Sequence, residues 1–462
     1  MKFQFKRTNM GAALLAVFCC MVIQLLILAC RDGGMLHFES VFFFMNYLDG
    51  RSLWAQVMDP FNNDWNMYQA RELSYFFDAL DARFTAALLK KQIVWFHSLC
   101  SLLLCGGMVF IQHYFTRKFF PKVPGMLVTL FSVFFVLSAA VTGLDYFRCA
   151  KYLTAFGLWG ALFSGFAAFR YGSVKAKVCL VLSLLLMTLS DRQGFFFTAA
   201  IAGTGAVLMA YQSRYSARIF SDRMRFIVLS ALGVTCFGIV NDLYLTPFLI
   251  NLTHNYMPDF AYQRDFQLSF NSLKGAVLFL FANGGNWFSN YSGSILSAAL
   301  TGALLLAGLA LELYCRYRRG QRTWVFTALL WGCALGAMTV CASAMIARHP
   351  AIMLKGAIFG TYAINFLTIT LFLLTLTAAS GKKRFAFLVT ALAALAICLR
   401  IGGEAAGDKF VPEVPSFKGY YSRQHILKES LRNPGFDETK HCLPHRMELF
   451  LEFYRKKVLT KQ

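Results

Sequence analysis

The sequence is short of charge, and of acid above all. Only 15% of its 462 residues are charged, with 23 Asp and Glu against 45 Lys and Arg. Hydrophobic residues make up 57%, and the mean hydropathy is +0.52. A soluble chain of this length could not solvate so much apolar surface, which excludes an ordinary globular domain. The P-loop, the Gly-rich dinucleotide motif, HExxH and the nucleophile elbow are also missing. No reading can therefore lean on those motifs. Of the 13 cysteines, nine lie inside apolar runs as small packing residues. Only Cys30, Cys149 and Cys442 are expected on the external side, so no disulfide framework is visible. The net charge of +22 comes without a basic face interleaved with soluble aromatics, which argues against nucleic acid as a partner.

What the chain has instead is a series of apolar runs of membrane-spanning length. Eleven spans are expected, at roughly 9–29, 93–114, 125–142, 152–169, 178–190, 195–212, 226–246, 291–314, 323–346, 360–379 and 385–401. Asp191-Arg192-Gln193-Gly194 alone separates the fifth from the sixth and predicts a tight hairpin. The apolar stretch Gly275–Phe281 and the polar Asn283–Trp287 read as a re-entrant or interfacial element at 275–290, not a span. The first run is long for a signal peptide and reads as an uncleaved anchor.

Charge predicts the orientation. Six short alternate loops hold 20 basic residues, among them Arg117, Lys118, Lys122, Arg170, Lys175 and Lys177. The positive-inside rule places these loops and the N-terminus in the cytoplasm, and the C-terminal tail from 402 outside. The expected architecture is an all-α polytopic membrane domain over 1–401 and a small external tail over 402–462. In the tail, His441, Cys442 and His445 lack the further ligands of a recognisable metal site.

The acids are not spread evenly. Eight of the 23 fall in the first external loop, 30–92: Asp32, Glu39, Asp49, Asp59, Asp64, Glu72, Asp78 and Asp81. Within it, Leu73, Phe76, Phe77, Leu80 and Phe84 recur at helical spacing, with Arg71, Glu72, Asp78 and Asp81 mostly off that stripe. This predicts an amphipathic helix lying in the outer interface. Asp32, close to the end of the first span, is placed to act as a general base, and Glu39 follows seven residues later. Cations gather in the other external turns: Arg148 and Lys151 beside Asp145, and Arg348, His349 and Lys355 after the ninth span. Arg, Lys and His converging there would suit a phosphate or diphosphate headgroup, and snorkelling to lipid phosphates is the plainer alternative.

This arrangement resembles the GT-C superfamily of integral-membrane glycosyltransferases, such as the protein O-mannosyltransferases and the lipid A aminoarabinose transferases. The likeness rests on a cytoplasmic N-terminus, an acidic first external loop with interfacial helices, many further spans and a soluble external tail. It implies an inverting hexosyl- or pentosyltransferase that uses a polyprenyl-phosphate sugar as donor. The acceptor would be a glycan, a lipid or a protein. The implied catalytic acids are Asp32, by its place after the first span, and Asp145 in the second external loop, with Glu39 and Glu72 as further candidates. Arg148, Lys151, Arg348, His349 and Lys355 would hold the donor phosphate. No metal ligands are assigned, and a requirement for a divalent metal stays open. The implied location is the bacterial inner membrane, with the active face periplasmic. Two departures stand out: no Asp-Glu pair follows the first span, and the tail is too small for a folded specificity domain. A lipid-linked polysaccharide polymerase or ligase, and a transporter or flippase, remain the rival classes. The former usually carries its large loop late in the chain. The latter would show internal repeats or broken, charged midplane helices.

Overall fold

The computed structural model describes residues 7–31, 50–58, 71–91, 98–140, 149–215, 222–254, 357–380 and 387–395, with a few isolated positions besides. Every element among them is helical. The chain order is α1 (Arg7–Arg31), α2 (Leu53–Met58), α3 (Glu72–Lys90), α4 (Leu99–Phe119), α5 (Gly125–Ala140), α6 (Cys149–Tyr171), α7 (Val174–Ser190), α8 (Arg192–Tyr215), α9 (Asp222–Val240), a π-turn (Asn241–Leu245), α10 (Thr246–His254) and α11 (Ala357–Ser380). The expected spans at 291–314 and 323–346, the element at 275–290 and the tail at 402–462 lie essentially outside the described residues.

Where they can be compared, the helices fall on the apolar runs. Three of them are long and apolar enough to cross a membrane: Leu99–Phe119, Cys149–Tyr171 and the rod Asp222–Leu252. At ~1.5 Å per residue, the 21 residues of α4 reach about 31 Å, the thickness of a hydrocarbon core. The apolar parts of α1, α5, α8 and α11 are shorter. Large apolar side chains face outward on these helices. Phe18, Leu103, Met126, Leu182 and Leu229 are each more than half exposed, as lipid-facing residues would be.

α6 is the central helix and is buried along most of its length. Trp159 is fully buried and stacks on Phe163, with ring centroids 5.9 Å apart. Phe163 in turn meets Phe115 of α4 at 5.6 Å and Phe372 of α11 at 5.3 Å. Small residues let the neighbours close in. A side chain at Gly157 would meet the Ser183 carbonyl at 2.9 Å, and one at Gly160 the Ser183 hydroxyl at 2.5 Å. α6 and α7 therefore pack backbone to backbone, the usual way of gaining contact where no hydrophobic force acts between helices.

The loops sort by charge. The α6–α7 turn passes through Gly172 in the left-handed region, φ 67°. There Arg223 donates to the Arg170 carbonyl at 2.7 Å and the Phe169 carbonyl at 3.3 Å, a cation capping a helix C-terminus. Lys118 lies over Tyr114, Phe115 and Phe119, and Lys177 over Phe226. Connectivity puts all these cations at one end of the bundle. The starts of α4, α6 and α8 lie at the other.

Candidate functional site

At that opposite end, α3 lies across the helix starts and turns its polar face inward. Ser74, Asp78, Ala79, Asp81, Ala82, Thr85 and Ala86 are buried, whereas Phe76, Leu80 and Phe84 are 37%, 38% and 41% exposed. The amphipathic helix exists as the spacing predicts. The face that packs on the protein is the one built of small residues, hydroxyls and acids, and the Phe-Leu stripe points away. Phe76 and Phe77 meet edge to face at 5.6 Å along it. Arg83 ties α3 to α2 through the Gln56 side chain at 2.9 Å, and Trp54 of α2 adds another exposed aromatic.

Each inward acid meets a different element. Asp81 accepts from Ser98 Oγ and from the Cys100 amide at 3.0 Å. Ser98 is itself the N-cap of α4 and accepts from the Ser101 amide at 3.0 Å. Asp81 thus completes a cap on a helix N-terminus, its oxygens accepting donors that the helix leaves free. Asp78, 2% exposed, takes a bond from Ser74 Oγ at 3.4 Å and faces the first turn of α6 at Cys149. Glu72 accepts from Thr246 Oγ1 at 2.5 Å, just past the π-turn. The Thr246 amide there bonds the Asn241 carbonyl, five residues back. A π-turn inserts one extra residue, and such turns often mark functional positions. Here it brings Asn241 and Thr246 to the Glu72 carboxyl.

The α7–α8 hairpin supplies the fourth carboxylate. Asp191 is the single non-helical residue between the two helices and is 1% exposed. It caps α8 by accepting from the Gln193 amide at 2.8 Å. It also pairs with Lys151 Nζ at 2.7 Å and with Arg71 at 3.5 Å. Gly194 is required there, since a side chain would run into the Met187 carbonyl.

The environments drive these groups apart. Burial raises the Asp78 carboxyl well above the usual carboxylate range, and the neighbouring Asp81 charge adds to it. Burial likewise raises Glu72 and Asp81 against the hydrogen bonds they accept. Burial would raise Asp191 as well, but the Arg71 and Lys151 charges outweigh it and hold its carboxyl below the usual range. Carboxyls raised by burial beside one lowered by cations are the pattern of a site that handles protons, although structural networks produce it too.

Of the residues expected from sequence, Glu72 and Lys151 are both here, at the same end of the bundle. Asp32, Glu39, Asp145, Arg148, Arg348, His349 and Lys355 lie outside the described residues. Arg71, Asp78, Asp81 and Asp191 were not among the expected site residues. A signal for two of them was present: Ser74, Asp78, Asp81 and Thr85 repeat with helical period beside Ala79, Ala82 and Ala86, a narrow face suited to close packing. Among the described residues, no group of three or more His, Cys, Asp or Glu is placed to hold a metal ion. The chain matches no known protein family and no curated protein.

Proposed function

We propose that the chain transfers a sugar from a polyprenyl-phosphate donor to a glycan, lipid or protein acceptor at the external face of a membrane, in the manner of a GT-C glycosyltransferase. The observation that supports it is one interfacial helix gathering Glu72, Asp78 and Asp81 beside the Arg71–Asp191–Lys151 ion group, at the bundle end away from the basic loops. On this reading the acidic end faces outside and the N-terminus lies in the cytoplasm, in a bacterial inner membrane. Cations at that level meet the phosphate of a lipid whose chain stays in the bilayer, through charge-assisted bonds. Carboxylates that hold or lose protons at the same level suit the deprotonation of an acceptor hydroxyl or amine. Lys151 enters the site already paired, so Asp191 fixes the direction in which its ammonium is presented.

The test is transfer by the purified protein in lipid nanodiscs. Polyprenyl-phosphate sugars are offered with an extract of envelope acceptors, and release of polyprenyl phosphate is followed. Wild-type protein is expected to turn over. Asp32→Asn, which keeps shape and removes proton affinity, is expected to lower the rate by about 10²–10⁴. Undiminished transfer by a well-folded Asp32→Asn variant removes Asp32 from the base role and moves it to Glu72. No release from any polyprenyl-phosphate sugar overturns the reading.

A further inference from the structure

α3 carries a conformational consequence that holds whatever the site transfers. Its buried face brings three carboxyl groups against three separate elements: Asp81 on α4, Asp78 on α6 and Glu72 on the π-turn. The charges around them do not balance. From α3 and its N-cap come Arg71 inward, and Arg83 and Lys90 on the outer side; Arg83 bonds Gln56 and the Arg51 carbonyl of the α2 segment. α4 offers Cys100, α6 offers Cys149 and Lys151, the hairpin offers Asp191, and the π-turn offers Asp242. The two inward cations, Arg71 and Lys151, both pair with Asp191. Three further carboxyls therefore sit inside with no ion pair among these groups, and only Asp78 feels part of the Arg71 charge that Asp191 already takes up.

The hydrogen bonding agrees with that count. Asp78 Oδ1 and Glu72 Oε2 are buried and lack a well-formed hydrogen bond, with only the Cys149 backbone and the Asn241 side chain close to these two carboxyls as further donors. A buried carboxylate oxygen left without a donor costs far more than a neutral carboxyl.

We propose that α3 is a proton-held strap: its inward carboxyls carry protons while the helix is seated on the bundle, and their ionisation lifts it from the ends of α4 and α6. The raised carboxyls of Glu72, Asp78 and Asp81 set the sign. Seated, they bind protons more tightly than when lifted into water. Their contribution to seating is therefore complete below the ordinary carboxylate value of about 4, and is lost as pH rises from there through each raised value. Asp191 runs the other way. Its ion group holds above about pH 4 and fails only in stronger acid.

The outward Phe76–Leu80–Phe84 stripe gives the lifted helix a place to go, since an amphipathic helix can lie in the lipid interface on that face. Lifting would uncover Ser98, Ser101 and the first turns of α4 and α6.

Hydrogen exchange of the full-length protein in nanodiscs tests this, from about pH 5 to about pH 9, corrected for the intrinsic amide rate at each pH. Protection over residues 72–90 is expected to fall with pH, by up to about tenfold per pH unit for each carboxyl titrating. Protection over α6 should stay constant. Asp78→Asn and Asp81→Asn, made separately, should each flatten part of that slope. PH-independent protection of α3 in the wild type overturns the proposal. So does loss of α3 and α6 protection together, or an unchanged slope in both variants.

Discussion

Asp191 is the residue on which most of the acidic end converges. It caps α8, pairs with Lys151 and reaches Arg71. A buried charge tolerates the loss of its partner poorly, because the remaining ion keeps its desolvation cost without compensation. Lys151→Ala is expected to lower stability by about 3–5 kcal/mol, read as a drop in the thermal midpoint in detergent. Lys151→Arg should recover part of this. A loss under about 1 kcal/mol would mean that Arg71 alone balances Asp191. Asp191→Asn should remove the loss of stability in strong acid that the depressed Asp191 carboxyl predicts, at some cost near neutrality. Gly160 makes a second prediction at this scale. Gly160→Ala places a methyl group 2.5 Å from the Ser183 hydroxyl and should cost about 1–3 kcal/mol; Gly160→Ala combined with Ser183→Ala should relieve most of it.

Among the elements, α3 departs most from what its sequence suggests at first sight. The periodicity of Leu73, Phe76, Phe77, Leu80 and Phe84 is enough to find the helix and its apolar stripe. In water that stripe would be the packing face. In a membrane-bound chain the rule inverts, because lipid is as apolar as Phe and the polar groups need protein partners. Asp78 and Asp81 therefore go inward, to hydroxyls and helix N-termini. Asp81→Ala removes one acceptor from the start of α4. Faster amide exchange is expected at residues 99–101 with the rest of α4 unchanged, equivalent to about 1–2 kcal/mol of cap stability. Exchange unchanged at those amides would show that Ser98 suffices as the cap. The π-turn was not legible at all. Nothing in Asn241-Asp242-Leu243-Tyr244-Leu245 marks an extra residue per turn, and its reason is tertiary: it brings Thr246 to Glu72, 174 residues earlier in the chain.

For the whole molecule, apolar run length carried most of the information on where the described helices lie. The run at 152–169 appears as Cys149–Tyr171, long enough to cross a membrane, and 125–142 as the shorter helix Gly125–Ala140, because a helix and its apolar run end where polar residues begin. The 226–246 run was less complete. Its helix continues through the π-turn to His254, where Thr246 meets Glu72 of α3 and Ile250 packs with Tyr75. The acid–cation constellation was only half readable, since sequence places residues in loops and not against one another. Lys151 and Asp191 are 40 residues apart, joined only by the way α6 and α7 pack. Topology is expected from the charge of the loops. A cysteine at Ser173 or Gly320 should react only with cytoplasmic reagents, and one at Asn62 or Ser430 only with external ones. External labelling at Gly320 would contradict the alternating arrangement of basic loops.

The central claim is that the acidic end receives a lipid-linked phosphate through cations held beside buried acids. Equilibrium binding of a polyprenyl phosphate to the protein in nanodiscs tests it most directly, by comparing wild type with Lys151→Ala and with Arg117→Ala, a cation at the opposite end. The account predicts saturable binding to the wild type, weakened about tenfold or more by Lys151→Ala and unchanged by Arg117→Ala in folded protein. Equal affinity in all three, or a loss only with Arg117→Ala, would contradict it.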